Sequence, residues 1–317
     1  MNALFASIDI GSYTARLLVA RTGKPFPSLN PVLRKRAYTR LAGDFLRSGR
    51  GIIPDPAVDR LAGVIDDFVA SAEIHRPVET YAAATGVLRE AKNRDQVLET
   101  LRLRSGLEIR SLSGQEEAIL SSLGVVYALG LEDRPYVVFD LGGGSAEIVV
   151  ESSESRMVES LPLGASVLTG RFLVSDPPGE LELARLESEI KSVLAGAAIR
   201  IPGEKTATVI AGTGGTMTAL AAAVEGLDTD EILPERINGV RIRPQRLDQF
   251  IESWKNLSLK ERMSLSSLDE GRAEVVVAGA MVVRGIMNYF GEVGVTACMS
   301  DLLEGLIIES GEKYARK

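Results

Sequence analysis

The sequence has very few of the residues that form disulfides and histidine-rich metal sites. It contains one cysteine, Cys298, and one histidine, His75. These counts exclude an internal disulfide, a Cys-rich metal cluster and zinc sites that use several histidines. A Ser-His-Asp hydrolase would have to use His75, and no G-x-S-x-G nucleophile motif accompanies it.

Signals for secretion and membrane insertion are also missing. The N-terminus lacks a basic region followed by an apolar stretch and a small-residue cleavage site, so we predict a cytoplasmic protein. The longest uncharged run, residues 206–224, approaches membrane-spanning length, but its glycine and threonine content is too polar for hydrocarbon. We therefore predict no membrane association.

Charge is distributed unevenly along the chain. The 36 Lys and Arg residues face 43 Asp and Glu residues, a net charge of −7. Basic residues outnumber acidic ones in residues 1–110, where the clusters at residues 34–40 and 89–94 could steer a polyanion. Each cluster by itself is equally well explained as a solvated charged face. Nucleic acid is not the predicted partner, because the whole chain is acidic and carries no aromatic-rich basic motif.

Short apolar runs alternate with longer helical periods, which is typical of an α/β protein. Two strand pairs share an apolar-Asp-apolar-Gly core at the turn, in residues 8–12 and 139–145. Their acids, Asp9 and Asp140, lie 131 positions apart, and Thr85 and Thr213, which follow later strands, lie 128 apart. This near-constant offset predicts a duplicated domain with a boundary near residue 130.

The strand-end aspartates and glycine turns indicate phosphate chemistry. Glycine lets backbone N–H groups approach anionic oxygens, and a carboxylate is a hard oxygen ligand for Mg²⁺. Either turn alone is about as well explained as a tight hairpin, but their matching offset favours the functional interpretation. A third turn, residues 212–216, follows a strand and opens a helix, which makes it an anion site or a structural turn. It is not a Rossmann fingerprint, because Met217 stands where that motif has its third glycine, and it is not a P-loop, because it lacks the P-loop lysine.

Two further acids are candidates for chemistry. Ser113 and Glu116 have the spacing of a capping box at a helix start, and the next acid, Glu117, could orient or deprotonate a water molecule. The ordinary explanation of Glu117 is that it complements the helix dipole. Glu147 lies on the strand after a glycine turn and could assist Asp140 at a metal, although a cross-strand salt bridge is the preferred explanation of Glu147 taken alone.

Eight short motifs follow one another along nearly the whole chain. They are I-D-I-G-S at 8–12 with Arg16, R-L-A-G at 40–43, A-T-G-V-L-R-E-A-K-N at 84–93, S-G-Q-E-E-A at 113–118, D-L-G-G-G-S-A-E at 140–147, L-P-L-G-A at 161–165, A-G-T-G-G-T at 211–216 and G-R-A-E-V-V-V-A-G-A at 271–280. Each is modest alone. In this order they resemble the exopolyphosphatase and guanosine pentaphosphate phosphohydrolase (Ppx/GppA) family, in the superfamily of actin, sugar kinases and heat-shock ATPases.

The resemblance implies two actin-like (ribonuclease H-like) α/β domains with a cleft between them. They would span residues 1–130 and 131–300, with a C-terminal helix at 301–317 joining the first. The activity implied is hydrolysis of the terminal phosphoanhydride bond of polyphosphate or guanosine pentaphosphate, which releases orthophosphate. A homodimer is also expected from the resemblance.

The family pattern implies a role for each matching residue. Glu117 would be the general base, and Asp140 with Glu147 would position Mg²⁺ or another divalent cation such as Mn²⁺. The substrate-binding residues would be Asp9, Gly11, Ser12, Arg16, Thr85 and Arg89 in the first domain, and Gly142, Gly143, Gly144, Ser145, Gly212, Thr213, Gly214, Gly215 and Thr216 in the second.

Two departures from the family pattern leave substrate preference and rate open. Tyr13 stands where the family usually has Asn, and Leu303 stands where the motif G-L-R-E-G has Arg. Two alternatives therefore remain. One is a kinase of the same superfamily that needs a phosphoryl acceptor, and the other is a non-catalytic sensor of polyphosphate or guanosine alarmones.

Overall fold

The computed structural model describes residues 3–23, 28–200, 208–291 and 294–315, with side chains described through residue 311. The chain divides into two compact units. Unit 1 comprises Met1–Gly124 and Leu302–Lys317, and unit 2 comprises Val125–Asp301. Each unit combines one mixed β-sheet with helices, which confirms the predicted α/β class.

Unit 1 begins with a three-stranded meander and ends with the C-terminal helix. Its elements are β1 (Leu4–Ile10), β2 (Thr14–Thr22), β3 (Leu29–Tyr38), α1 (Leu41–Ser48), α2 (Asp55–Glu73), β4 (Glu79–Ala84), α3 (Gly86–Glu90), α4 (Arg94–Ser105), β5 (Ile109–Ser111), the first part of α5 (Gly114–Leu129) and α13 (Leu302–Ala315).

Unit 2 repeats the meander and adds more helices. Its elements are β6 (Tyr136–Leu141), β7 (Ala146–Glu151), β8 (Arg156–Leu161), α6 (Ala165–Phe172), α7 (Glu180–Gly196), β9 (Val209–Thr213), α8 (Gly215–Glu225), a 3₁₀ turn (Thr229–Glu231), α9 (Pro234–Ile237), β10 (Arg241–Ile242), α10 (Pro244–Lys255), α11 (Leu259–Arg262), α12 (Glu270–Tyr289) and β11 (Val295–Ala297).

The two sheets have the same strand order. Unit 1 is ordered β3-β2-β1-β4-β5, and unit 2 is ordered β8-β7-β6-β9-β11, with β10 added at the edge. In both, the first three strands are antiparallel and the next strand runs parallel to the first. This is the ribonuclease H-like sheet of an actin-like domain, so the repeat seen in the sequence is a repeat of topology.

The apolar runs and helical periods of the sequence predict strands at 4–10, 79–84, 136–141 and 146–151 and helices at 114–129 and 270–289. These elements are observed with those bounds. The strand predicted at 205–211 is observed at Val209–Thr213, and its residues 205–207 lie outside the described residues. β6 is buried at every position because it is flanked by strands and covered on both faces, as is usual for a central parallel strand.

The C-terminal helix α13 completes the core of unit 1. Leu303 and Ile307 pack with Phe5, Leu18 and Ala20 of the sheet. Leu303 occupies the position of the missing family Arg, and its side chain is 3% exposed in this apolar cluster. Leu303 therefore contributes to the packing of this core.

No helix in the described ranges combines the length and apolar character needed to cross a membrane.

Gly305 allows α13 to pack closely against α5. A Cβ atom at Gly305 would lie 1.9 Å from the backbone oxygen of Leu120, so Gly305→Ala must push the two helices apart. We expect a loss of roughly 1–3 kcal/mol, the usual cost of overpacking, measured as a lower urea midpoint of unfolding.

Gly63→Ala is the matched control. Gly63 lies within α2 of the same unit, and a Cβ atom there would meet nothing within 4 Å. Since alanine favours a helix over glycine, this variant should gain roughly 0.5–1 kcal/mol. Equal midpoints for the two variants would contradict the packing argument.

Candidate active site

A row of four polar residues crosses the sheet of unit 2 where the central strands end. Asp140 of β6 pairs directly with Glu147 of β7 and with Thr213 of β9, and Glu147 pairs with Ser160 of β8. Directly opposed residues project from the same face of a sheet, so two carboxylates lie side by side between two hydroxyls. Asp140 is 8% exposed and Glu147 is 2% exposed.

The row at the same place in unit 1 has a different charge. Asp9 of β1 pairs with Arg16 of β2, and Arg16 pairs with Arg36 of β3. Arg16 donates hydrogen bonds to Oδ2 of Asp9 from Nε at 3.0 Å and from Nη2 at 2.6 Å. The carboxylate of unit 1 is therefore neutralised by a cation within its own sheet.

The two rows correspond residue by residue. Adding 131 to Asp9 gives Asp140, and adding 131 to Arg16 gives Glu147. Where unit 1 places a guanidinium beside the aspartate, unit 2 places a second carboxylate. Adjacent buried carboxylates repel each other unless a cation or proton is shared between them, so this pair suits a divalent cation.

The hydroxyl of Thr213, at one end of this row of four residues, also suits a bound ligand. The Thr213 hydroxyl is fully buried and, among the described residues, has no hydrogen-bond partner. A buried hydroxyl without a partner is costly, and a bound ligand or water would satisfy it. No cluster of three or more His, Cys, Asp or Glu side chains suited to a metal occurs in the described part of the chain. Two carboxylates are sufficient for Mg²⁺, which usually keeps waters and substrate oxygens as ligands.

The glycine turn between β6 and β7 supports both a hairpin and a helix. The Gly142 N–H donates to the Ser145 carbonyl at 3.0 Å, so this donor is used within the turn. The Gly142 carbonyl accepts from the Ala165 N–H, and the Gly143 carbonyl accepts from the first turn of α6. A Cβ atom at Gly164 would lie 2.1 Å from the Gly144 carbonyl carbon, which explains why L-P-L-G must end in glycine.

The corresponding turn of unit 1 is tied to two helices. The Gly11 N–H donates to the Thr14 carbonyl, and the Ser12 carbonyl accepts from the Ala42 N–H of α1. The Ser12 hydroxyl accepts from the Val87 N–H of α3 at 2.9 Å. Gly86 has φ +54° and its α-carbon faces that hydroxyl, with no room for a side chain. Ser12 therefore joins the first glycine turn to the turn that follows Thr85.

The predicted substrate-binding residue Thr85 and the departure from the family pattern, Tyr13, are both buried beside this turn. Thr85 is 3% exposed, and its N–H donates to the Ile10 carbonyl at 3.0 Å. Tyr13 is 6% exposed, and its ring packs edge-to-face on Tyr38 at 5.4 Å between centroids. The aromatic ring that replaces the usual Asn is therefore accommodated by a second aromatic ring.

The turn between β9 and α8 lies against the end of β6. Gly214 has φ +95°, and a Cβ atom there would lie 2.3 Å from the Leu141 carbonyl oxygen and 3.1 Å from Oδ1 of Asp140. Gly212 differs from its neighbours, because the Phe139 ring fills the space where its side chain would be. We therefore assign Gly212 to packing of the sheet and Gly214 to close approach of the turn to Asp140.

Arg272 was given no role by the sequence analysis, although it lies in the G-R-A-E motif. A Cβ atom at Gly215 would fall 1.3 Å from Nη1 of Arg272, so the guanidinium lies directly against the N-terminus of α8. Thr216 packs in the same way on Gly279 of α12. The other missed residue is Ser160, whose only sequence signal is its position just before L-P-L-G.

Glu117 lies in the first turn of α5 and is 8% exposed. Nη1 of Arg89 lies 2.5 Å from Oε2 of Glu117 and 3.3 Å from the Leu112 carbonyl. The predicted base and the predicted phosphate-binding arginine are thus direct neighbours within unit 1. The predicted capping box is confirmed, since Ser113 and Glu116 exchange hydrogen bonds at 2.9 and 3.2 Å.

These features define an α/β protein with two duplicated ribonuclease H-like sheets, of which one carries a carboxylate pair beside glycine turns and the other an acid at a helix entrance. The model of the Ppx/GppA phosphatase family matches residues 18–314. The chain therefore belongs to the Ppx/GppA phosphatase family.

Relatives are similar over nearly their whole length. Exopolyphosphatase 1 of Mycobacterium tuberculosis (strain H37Rv) is 30% identical over 97% of this chain and 88% of its own. Exopolyphosphatase 2 of the same strain is 31% identical over 96% of this chain and 97% of its own. The crystal structure of the Aquifex aeolicus Ppx/GppA family member is 25% identical, with a TM-score of 0.82 and 99% of both chains covered.

The capping box should give α5 a pH-dependent stability. Hydrogen bonds from the Ser113 N–H and hydroxyl lower the pKa of Glu116 below its ordinary value. Because the pKa of Glu116 is lower in the folded state, the stabilisation by its charged side chain is fully present above the unfolded pKa, about 4.3. This stabilisation is lost as pH falls through the folded pKa. We expect the parent to be more stable than Glu116→Gln at pH 7, with the difference shrinking as the pH falls below about 5.

Urea unfolding of both proteins from pH 7 to pH 3 measures this difference. Other carboxylates titrate in both proteins, so the difference between them isolates Glu116. A difference that stays constant or grows on acidification would refute the role of the charged cap.

Proposed function

We propose that this protein hydrolyses the terminal phosphoanhydride bond of inorganic polyphosphate and releases orthophosphate, with guanosine pentaphosphate as a second substrate of the same bond type. The observation that carries the proposal is the buried Asp140–Glu147 pair beside the glycine turn Gly142–Ser145. The substrate class is supported by relatives named exopolyphosphatase that align over nearly the whole chain.

The reaction needs water activated at the terminal phosphate. A water oxygen bonds to the terminal phosphorus, the bond from that phosphorus to the bridging oxygen breaks, and Glu117 accepts the proton of the water. The products are orthophosphate and a chain shorter by one phosphate. Glu117 suits this role because it is a nearly buried carboxylate at a helix entrance, and its position is fixed by Arg89.

Arg89 is proposed to bind the phosphate whose bond is broken. Its guanidinium is a planar group with five N–H donors, and contacts from Nη1 to Glu117 and Leu112 fix the orientation of that plane. A phosphate bound by the same guanidinium would be held close to the base. Such positioning is a large part of catalysis in phosphoryl transfer, because the protein contributes little covalent chemistry.

Asp140 and Glu147 are proposed to hold Mg²⁺ or Mn²⁺, directly or through water. When bound, the cation would neutralise charge on the phosphate oxygens and on the leaving oxygen. The glycine turns would supply backbone donors from Gly143, Gly144 and Ser145, since the Gly142 donor is already used within the hairpin. Arg272 would add positive charge at the N-terminus of α8, where the helix dipole already favours an anion.

Removing the base should abolish most turnover without unfolding the protein. We expect Glu117→Gln to lower the rate of orthophosphate release from polyphosphate with Mg²⁺ by roughly 10²–10⁴-fold, the usual contribution of general base catalysis. Glu116→Gln is the matched control, because it removes the same charge one residue away and should keep the parent rate within a few-fold. Equal rates for the parent and Glu117→Gln would disprove the assigned base.

The same assay distinguishes the rival functions and the two substrates. Phosphate transfer that strictly requires an added acceptor would identify a kinase, and tight binding of polyphosphate without turnover would identify a sensor. Parallel rates on polyphosphate and guanosine pentaphosphate decide which of them the enzyme prefers.

A further inference from the structure

Ser160 contacts the carboxylate pair from the edge of the sheet. It lies on β8 directly opposite Glu147, and its hydroxyl donates a hydrogen bond of 2.8 Å to Oε1 of Glu147. We propose that Ser160 is a positioning residue that orients the Glu147 carboxylate for a divalent cation. This inference rests on the proposed function, because it requires the metal site at Asp140 and Glu147.

The carboxylate pair needs such an orienting group. Asp140 and Glu147 are direct cross-strand neighbours, and like charges in this arrangement repel each other when no cation lies between them. Repulsion favours rotation of the Glu147 side chain away from Asp140. A hydrogen bond to Oε1 opposes that rotation and keeps the carboxylate in place before the cation arrives, which is the role that outer groups have at most metal sites.

The corresponding position in unit 1 shows why a neutral hydroxyl is suited to this task. There Arg36 is the residue opposite Arg16, and its guanidinium lies 5.1 Å from the centre of the Tyr38 ring. A guanidinium in place of Ser160 would neutralise Glu147 permanently and compete with the metal. An apolar side chain would leave Oε1 without this donor. Serine donates a hydrogen bond to the carboxylate without adding a positive charge of its own.

The inference makes a specific prediction about metal affinity. By titration calorimetry, Ser160→Ala should bind Mn²⁺ about 10-fold or more weakly than the parent, since loss of an outer hydrogen bond at a metal ligand commonly costs 10–100-fold. Ser160→Thr keeps the hydroxyl and should bind within about 3-fold of the parent. The Mg²⁺ concentration for half-maximal orthophosphate release from tripolyphosphate should rise in parallel, with kcat at saturating Mg²⁺ changed only a few-fold.

Two matched comparisons separate positioning from a purely structural role. Ser152→Ala makes the same change at the other end of the β7–β8 hairpin, where the hydroxyl bonds to Ser155, and should leave Mn²⁺ affinity unchanged. Ser160→Ala could unfold at a lower temperature than the parent in the absence of metal. In that case, comparing the Mn²⁺ affinity of Ser160→Val with that of Ser160→Thr isolates the effect of the hydroxyl, because the two side chains have nearly the same shape. Valine should then bind Mn²⁺ at least 10-fold more weakly than threonine.

The outcomes also distinguish failure of this inference from failure of the proposed function. Glu147→Gln should abolish Mn²⁺ binding. If Glu147→Gln loses binding while Ser160→Ala and Ser160→Val keep it, only the role of Ser160 is overturned. If the parent binds no Mn²⁺, or if Glu147→Gln binds it as tightly as the parent, the metal site and this inference fall together.

Discussion

The cross-strand pairing of Asp140 and Glu147 is the constraint on which the rest of the site depends. The register of β6 and β7 places them opposite each other, and the flanking strands supply a hydroxyl on each side. Two nearly buried acids are unfavourable unless a cation satisfies them. The neighbouring glycines have no side chains that would separate the packed segments. Two turns and the start of α6 therefore pack closely around the end of β6, next to Asp140.

The two sheets share one strand order but have different electrostatics. In unit 1 the aspartate at the strand end is paired with Arg16, so the row contains its own cation. In unit 2 the same position carries Glu147, which places a second carboxylate beside Asp140. A single change in charge type at one strand position therefore separates a structural ion pair from a candidate metal centre.

The candidate catalytic group of unit 1 is a carboxylate, Glu117, that forms an ion pair with Arg89. Glu117 and its neighbour Glu116 differ by one position on α5, yet their surroundings differ completely. Glu116 is exposed and caps the helix through Ser113, whereas Glu117 is nearly buried and contacts Arg89. Helix periodicity explains the difference, since successive residues point about 100° apart around the axis. The capping box thus marks the start of the helix, and Glu117 lies on the buried side of its first turn.

The sequence by itself determined the α/β class, the duplicated sheet, nearly all strand bounds around the turns and the acids at the strand ends. These follow from local patterns, namely short apolar runs, glycine turns and the capping box, each of which is read within a few residues. Only the tertiary structure decided the contacts between distant segments. Examples are Ser160 on Glu147, Arg272 against Gly215, Arg89 on Glu117 and Leu303 within the core of unit 1. Such contacts depend on strand register and helix packing, which bring residues together across many intervening positions, and no local pattern encodes which distant side chain will arrive.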